Sequence, residues 1–239
     1  GSPTFLSDEE LASLMDLLRD SFRVLPNAEV SIEVDPRTAS RERMRALAGM
    51  GFNRVSFGVQ DFDADVQAAV HRIQSFESVR ELVAEARALR FESINADLIY
   101  GLPKPQRRIH AEDLPSAEQR VRMLGDALAG FLGKGYVYIG MDHFALPGDA
   151  LAVAKRQGRL HRNFQGYTTQ PDCDLIGLGV SSIGRVGATY SQNAKTLDDY
   201  RDALANGEFP VARGLALTRD DLLRRAVIMA LMCQGRVEY

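Results

Sequence analysis

The sequence contains 239 residues, 45% of them hydrophobic and 26% charged, with a formal net charge of −3. These values are ordinary for a soluble globular protein, and the weak negative charge gives no field that would attract nucleic acid or an anionic membrane. No stretch approaches the roughly 20 apolar residues that a membrane-spanning helix needs. The two cysteines, Cys173 and Cys233, lack metal-ligand spacing. Such sparse use of cysteine favours a reducing compartment, with both residues as small buried hydrophobic side chains.

The first hundred residues are predicted to alternate between helices and strands. Ser7 is a suitable N-cap for the first helix, and Glu10 stands three residues later as the acid of a capping box. Further helices are predicted at residues 40–50, 63–70 and 76–89, and strands at residues 31–36, 54–62 and 92–99. This alternation, with a spacing of about 25–40 residues, is typical of parallel βα units.

The rest of the chain is predicted to contain less regular elements. Residues 104–113 carry charge without apolar periodicity, which indicates a surface loop. Thr218 is a suitable N-cap for the last helix, with Asp221 placed to complete a second capping box. The remaining predicted elements are helices at 116–132, 197–204 and 218–232 and a strand at 136–140.

The character of the sequence changes near residue 147. Residues 160–170 are polar and aromatic, and residues 176–187 contain four glycines among small and β-branched side chains. The spacing of these glycines does not fit a dinucleotide-binding fingerprint. We therefore expect a boundary here between two domains, residues 1–146 and residues 147–239.

Four predicted strands carry polar residues near their C-terminal ends. These residues are Glu33, Gln60 with Asp61, Asp97, and Asp142 with His143. Because active sites lie at the C-terminal ends of the strands in β/α barrels, the pattern predicts one face of such a barrel. Asp97 is predicted to be buried among Ile94, Ala96, Leu98 and Ile99, where an ionised carboxylate is costly unless something binds it.

These polar residues allow more than one interpretation. Gln60, Arg72 and Asp97 could bind a small polar molecule at the barrel mouth, or Asp97 and Arg72 could form an internal salt bridge. Glu33 could belong to the same site or could only cap the following helix. The acid and histidine that end the fourth strand could be an acid–base pair or could make a structural hydrogen bond. The residues alone indicate a barrel-like enzyme with a site of anion or nucleotide size.

Several segments, read together, resemble one family. They are SIEVDPR, GFNRVSFGVQDF, the HR of VHRIQ, NADLIYGLPKP, DLPS, YIGMDHFA and LHRNFQGYTT. Their order is similar to that in the oxygen-independent coproporphyrinogen III oxidases, which are radical S-adenosylmethionine enzymes of haem biosynthesis. GMDHFA and LHRNFQGYTTQ favour the oxidase over the alternative, a haem chaperone of the same superfamily.

The resemblance implies an α/β fold, with a partial (β/α)6 TIM-like barrel and a smaller, mainly α-helical C-terminal domain. It also implies a [4Fe-4S] cluster bound by a CxxxCxxC loop and two molecules of S-adenosylmethionine. The reaction would convert two propionates of coproporphyrinogen III to vinyl groups by oxidative decarboxylation, through a 5′-deoxyadenosyl radical. The implied protein is a cytoplasmic monomer supplied with electrons by flavodoxin or ferredoxin, with no nucleic-acid or membrane partner.

The resemblance also implies roles for particular residues. Glu33 would bind the S-adenosylmethionine that ligates the cluster, and Ile183 would pack on it. Gln60, Arg72 and Asp97 would bind the second molecule. Gly1 and Ser2, in an N-terminal turn, would contact both molecules through their backbone. The implied cofactor-binding residues are Gly1, Ser2, Glu33, Gln60, Arg72, Asp97 and Ile183.

The implied substrate carries four carboxylates, so basic side chains are expected to contact it. His161, Arg162 and Arg213 are the candidates, and each is also explained as an ordinary surface charge. Replacement of Arg162 by alanine is expected to raise the substrate KM if this residue binds the substrate.

The sequence departs from the family pattern in two places. The first barrel strand and the cluster-binding cysteines are expected upstream of Gly1, and neither Cys173 nor Cys233 can replace three closely spaced cysteines. After Lys104, the chain passes directly into PQRRIH, where the family has a further helix and strand. The 239 residues by themselves are therefore not expected to catalyse the reaction.

Overall fold

The computed structural model describes residues 3–102, 114–170 and 173–237. The candidate residues Gly1 and Ser2 and the predicted loop at 104–113 lie outside these ranges. The chain forms two compact units, Gly1–Ala127 and Leu128–Tyr239. This division falls inside one helix, whereas the boundary near residue 147 stays a prediction about functional domains.

The first unit is built from βα repeats. Its three strands form one parallel sheet in the order β1-β2-β3, so each strand lies beside its neighbour in sequence. The elements in chain order are α1 (Asp8–Ser21), β1 (Ser31–Val34), α2 (Arg41–Gly49), β2 (Arg54–Gln60), α3 (Ala64–Ala69), α4 (Phe76–Ala88) and β3 (Ser93–Leu98), followed by α5 (Ala117–Gly133), which continues into the second unit. The predicted alternation of strands and helices is confirmed.

The core of the first unit lies on one face of this sheet. Phe57 of β2 is fully buried, and so are Met44 and Leu47 of α2. Because alternate residues of a strand face opposite sides, the buried positions on β1 and β2 fall on every second residue. The core residues are Leu11, Met15, Ile32, Val34, Met44, Leu47, Phe52, Val55, Phe57, Val59, Val79, Leu82, Ala86 and Phe91. The opposite face of the sheet is thereby left to polar side chains.

Both predicted capping boxes are present. Ser7 Oγ accepts a hydrogen bond from the backbone N–H of Glu10 at 3.2 Å, and the Glu10 carboxylate accepts one from the Ser7 N–H at 2.8 Å. Thr218 and Asp221 make the same reciprocal pair at the start of the last helix. Such caps depend on residues only three apart, which is why the sequence alone predicts them.

Two predictions about the sheet need correction. Asp97 is exposed rather than buried, and Leu98 retains 51% of its surface, because β2 is the one strand that pairs with β3 among the described residues. Closure of a (β/α)6 barrel is not seen in these ranges, where the parallel sheet has three strands. The predicted burial of Asp97 assumed a neighbour on each side of its strand.

The second unit contains hairpins, a small sheet and three further helices. The strands β8, β9 and β10 form an antiparallel sheet in the order β10-β9-β8, while β4–β5 and β6–β7 are two separate hairpins. The elements are β4 (Val137–Gly140), β5 (His143–Ala145), α6 (Ala150–Arg156), β6 (His161–Asn163), β7 (Gly166–Thr168), β8 (Ile183–Val186), β9 (Thr189–Asn193), α7 (Leu197–Ala205), β10 (Val211–Ala216) and α8 (Arg219–Gln234).

Residues 147–239, which were predicted to be mainly helical, contain three helices and five short strands within the described ranges. The strand at 136–140 was expected beside β1, β2 and β3, but β4 pairs antiparallel with β5. The chain reverses at Met141 and Asp142, both with positive φ, which gives a tight turn that the residue types do not announce. Cys233 is buried as predicted, whereas Cys173 is exposed.

No helix within the described ranges is long and apolar enough to cross a membrane.

Candidate functional site

The candidate site lies on the face of the parallel sheet opposite the core, which we call the polar face. The register pairs Glu33 of β1 with Ser56 of β2, and Ser56 with Asn95 of β3. One step further toward the C-terminal ends, Gly58 pairs with Asp97. Because side chains in register on parallel strands point to the same side, these polar groups share one surface.

Asp97 is held by its neighbours on the polar face. Ser56 Oγ donates to Asp97 Oδ2 at 3.0 Å, and Asn95 Nδ2 donates to Asp97 Oδ1 at 2.8 Å and to Ser56 Oγ at 2.9 Å. The alternative of an Asp97–Arg72 salt bridge is wrong, because the recorded ion pair of Arg72 is with Asp35. Ser56 and Asn95 were missed from the sequence, although alignment of the three strands in register would have placed both beside Asp97.

Glu33 shares this surface with Asp97. Partial desolvation of its carboxyl group is the main reason why the pKa of Glu33 is raised, and the negative charge of Asp97 raises it further. A hydrogen bond from Ser56 acts in the opposite direction. The interpretation of Glu33 as a helix cap is wrong, because Ser40 caps α2 by accepting a hydrogen bond from the Arg43 N–H. Glu33 therefore belongs to the polar face, where it lies in register with Ser56.

Gln60 and Arg72 meet above Gly58. A Cβ added at Gly58 would lie 3.1 Å from Gln60 Nε2 and 3.5 Å from Arg72 Nη2. Gln60 has a φ of 71°, where β2 ends, and its carbonyl accepts a hydrogen bond from the Ile99 N–H at 2.7 Å. The structure thus brings Gln60 and Arg72 to the position whose register partner is Asp97.

The guanidinium of Arg72 is fixed by two contacts. Its Nη2 donates to the Gly58 carbonyl at 3.1 Å and lies 3.2 Å from Asp35 Oδ2. Asp35 is also bound by Arg37, and hydrogen bonds from Arg37 are the largest cause of the lowered pKa of this carboxyl, with Arg72 a further cause. The Arg72 Nε is buried and makes no hydrogen bond within the residues that the structure describes. One donor of an oriented arginine is thus left for another group.

The other predicted residues lie elsewhere in the chain. Ile183 is the first residue of β8 in the second unit, where it pairs with Gln192. The His143 ring makes a hydrogen bond to the Met141 carbonyl through Nδ1 at 2.8 Å, which agrees with the structural interpretation of that strand end.

The predicted substrate residues are only partly brought together. His161 and Arg162 lie on β6 and line a cavity of about 300 Å³ in the second unit. Arg213 lies on β10 with an exposed side chain and is not one of the residues that line this cavity. His161, Arg162 and Arg213 were selected for their basic side chains. Charge carries no information on where the strand of each residue packs.

No group of three or more histidine, cysteine, aspartate or glutamate residues suited to a metal ion occurs in the described ranges. Cys173 is exposed and Cys233 is buried, and they stand 60 residues apart in the sequence. These residues do not fit an iron–sulfur cluster.

Comparison with known proteins places the chain in a family. The sequence profile of the radical SAM superfamily matches residues 1–114. The chain is 42% identical to the oxygen-independent coproporphyrinogen III oxidase of Thermostichus vulcanus, over 90% of this chain and 77% of that protein. The chain belongs to the oxygen-independent coproporphyrinogen III oxidase family. Proteins of the same name from Pseudomonas aeruginosa and Escherichia coli are 46% and 44% identical over the whole chain.

A solved structure of coproporphyrinogen III oxidase (HemN) from Escherichia coli, described as a radical SAM enzyme, matches the whole chain with a TM-score of 0.95 and 44% identity. The chain covers 63% of that structure and 60% of the Pseudomonas and Escherichia oxidases, so it spans less than two thirds of these family members. The alignment with the Pseudomonas protein has 275 positions for the 239 residues here, a difference of 36 positions.

Proposed function

We propose that the protein containing this chain converts coproporphyrinogen III to protoporphyrinogen IX without oxygen, by oxidative decarboxylation of two propionates in haem biosynthesis. The observation that carries the proposal is the match of the whole chain to the Escherichia coli oxidase structure at 44% identity. The identity is high enough that the match reflects more than a shared fold.

The polar face supports a role in binding S-adenosylmethionine. The buried Arg72 Nε is a donor suited to the carboxylate of this molecule. The side chains of Gln60 and Arg72 come this close to β2 because Gly58 has no side chain of its own. Asp97 is oriented by two hydrogen bonds and would accept from a ribose hydroxyl or an ammonium group. Gln60 would add both a donor and an acceptor.

We assign Gln60, Arg72 and Asp97 to one molecule of S-adenosylmethionine and Glu33 to another. Ser56 of β2 lies between the two carboxylates, since it is the register partner of Glu33 on β1 and donates a hydrogen bond to Asp97 on β3. The two carboxylates therefore lie on the same surface at different positions. Gly1 and Ser2, outside the described ranges, and Ile183 remain proposed as contacts of these molecules.

The residues present would bind and orient rather than react. S-adenosylmethionine, when bound in such enzymes, supplies the radical chemistry that removes a hydrogen atom from the propionate. Ser56 and Asn95 fix the Asp97 carboxylate before any ligand arrives, so little freedom is lost on binding. An iron–sulfur cluster does not fit the two cysteines of this sequence.

The electron donor, the oligomeric state and the cellular location are proposed from the family. A small electron-transfer protein such as flavodoxin or ferredoxin would supply electrons, and the enzyme would act as a monomer in the cytoplasm. These proposals are supported by the family relationship alone.

The test is anaerobic turnover by the complete protein. With S-adenosylmethionine and a chemical reductant, coproporphyrinogen III is expected to lose two carboxyl groups, detected by chromatography and mass spectrometry. Asp97→Asn is expected to lower the rate by about tenfold or more, because it removes the charge from an oriented hydrogen-bond acceptor. The matched control is Asp20→Asn on the exposed face of α1. Haem binding without vinyl formation would instead favour the chaperone function.

A further inference from the structure

The second unit contains a cavity that concentrates positive charge. It has a volume of about 300 Å³ and is lined by the β6–β7 hairpin, by β8 and β9, and by α8. Three arginines line it, and each comes from a different element: Arg162 from β6, Arg185 from β8 and Arg225 from α8. His161 of β6 lines it as well. Because the three arginines come from separate elements, their grouping is a product of the fold rather than of one charged stretch of sequence.

The guanidinium of Arg162 is oriented by the hairpin. It lies 5.6 Å from the centre of the Tyr167 ring, and Tyr167 is its register partner on β7. The Tyr167 hydroxyl donates to the Met232 carbonyl at 2.9 Å, which ties the hairpin to α8. The Arg162 Nε is buried without a hydrogen-bond partner among the described residues, a state that costs free energy unless a ligand satisfies it.

The charges around the cavity leave a positive excess. Asp174 is the one carboxylate that lines it within the described ranges, and Asp174 Oδ1 already accepts a hydrogen bond from the Gly187 N–H at 2.8 Å. Arg185 Nη2 donates to the Cys173 carbonyl at 2.6 Å, which fixes this arginine against the same segment. Three guanidinium groups against one carboxylate favour an anionic ligand.

The cavity also offers apolar walls beside its charges. Phe164 and Tyr190 pack edge to face with ring centres 5.3 Å apart, and Met229 of α8 lies beside them. These three residues also line an adjoining recess, together with the apolar Leu217 and Ile228 and the charged Asp221, Arg224 and Arg225. The arrangement therefore suits an anion at the end of a short hydrocarbon chain better than a free inorganic ion.

We propose that this cavity binds a propionate side chain of the tetrapyrrole substrate, with Arg162 and Arg225 as the carboxylate contacts and Arg185 in support. The proposal rests on the proposed function and names the specificity site of that reaction. A planar guanidinium presents paired donors that match a carboxylate, and the apolar side chains Phe164, Ile228 and Met229 of the recess would contact the adjoining carbon skeleton. Arg225 and Arg185 thereby replace Arg213, which lies outside the cavity.

The test is equilibrium binding of coproporphyrin III, the stable oxidised porphyrin with the same four propionates, to the complete protein. Fluorescence titration is expected to show a Kd about tenfold to a hundredfold higher for Arg162→Gln and for Arg225→Gln than for wild type. The Kd of Arg225→Lys is expected to lie between those of wild type and Arg225→Gln, since lysine keeps the charge and loses the paired donors. The matched control, Arg201→Gln on the exposed face of α7, is expected to bind within about twofold of wild type.

A competition arm separates the possible anions. Excess succinate is expected to weaken porphyrin binding to wild type and to have a smaller effect on Arg225→Gln. Inorganic phosphate at the same concentration is expected to compete less well than succinate for wild type. Stronger competition by phosphate would overturn the carboxylate assignment. Wild-type binding that neither arginine variant changes, with all proteins folded by circular dichroism, would overturn the cavity proposal and leave the proposed oxidase function standing. Failure of wild type itself to bind coproporphyrin III would count against both.

Discussion

Arg72 gives the sharpest test of how the polar face is held. Its side chain is 28% exposed and that of Asp35 is 15% exposed, so their contact at 3.2 Å is shielded from water. The same Nη2 donates to the Gly58 carbonyl at 3.1 Å. A hydrogen bond to a charged group contributes about 1.5–3 kcal/mol, and Asp35 keeps Arg37 as a partner. We therefore expect Arg72→Gln to lower the free energy of unfolding by about 1.5–3 kcal/mol.

The control is an ion pair of similar length in open solvent. Arg41 and Glu81 approach to 3.1 Å, but their side chains are 53% and 57% exposed, so Arg41→Gln is expected to cost about 0–1 kcal/mol. Urea unfolding at pH 7 measures the change in the free energy of unfolding for both substitutions, from the midpoint concentration of urea when the dependence on urea (the m value) is unchanged. The pKa of Asp35 is lowered in the folded protein, so the stabilisation is present above pH 3.8, the ordinary value, and is lost as the pH falls through the folded value. Equal effects of the two substitutions at pH 7 would refute the reasoning.

Three further predictions concern single side chains. Phe57→Ala empties a fully buried position and is expected to lower the free energy of unfolding by about 3–5 kcal/mol in urea; a loss below about 1 kcal/mol would contradict the assigned core. Glu33→Gln is expected to stabilise the protein at pH 7 by less than about 1 kcal/mol, because the raised pKa makes ionised Glu33 unfavourable when folded. That gain should vanish below pH 4.5, where both states are protonated, and a gain that persists there would argue against it. Tyr167→Phe removes the hydrogen bond to the Met232 carbonyl and is expected to lower the free energy of unfolding by about 1 kcal/mol. An unchanged midpoint of thermal unfolding would count against this prediction.

Local chemistry made much of the fold predictable. The caps at Ser7 and Thr218 and the βα alternation depend on residues close in sequence, and they are confirmed. The exposure of Asp97 and the hairpin of β4 with β5 depend on which strands become neighbours. Periodicity carries no information about those partners, so both were predicted wrongly.

The candidate sites show the same division. Glu33, Gln60 and Asp97 were selected because active sites of β/α barrels lie at the C-terminal ends of the strands, but Ser56 became visible only through the register that places it beside Asp97. Arg225 could not be selected from the sequence, because nothing in a helix with several arginines marks the one that faces a cavity. Residues that act together by tertiary packing leave no local pattern.

Binding of S-adenosylmethionine to the complete protein without its iron–sulfur cluster tests the central claim most directly. If Asp97, Gln60 and Arg72 form a site that does not depend on the cluster, calorimetry should detect one bound molecule in wild type and in Asp20→Asn. Asp97→Asn should raise the Kd by about tenfold or more, because an oriented charged acceptor is lost. Equal binding by Asp97→Asn and wild type would contradict the assignment of the polar face as the cofactor site.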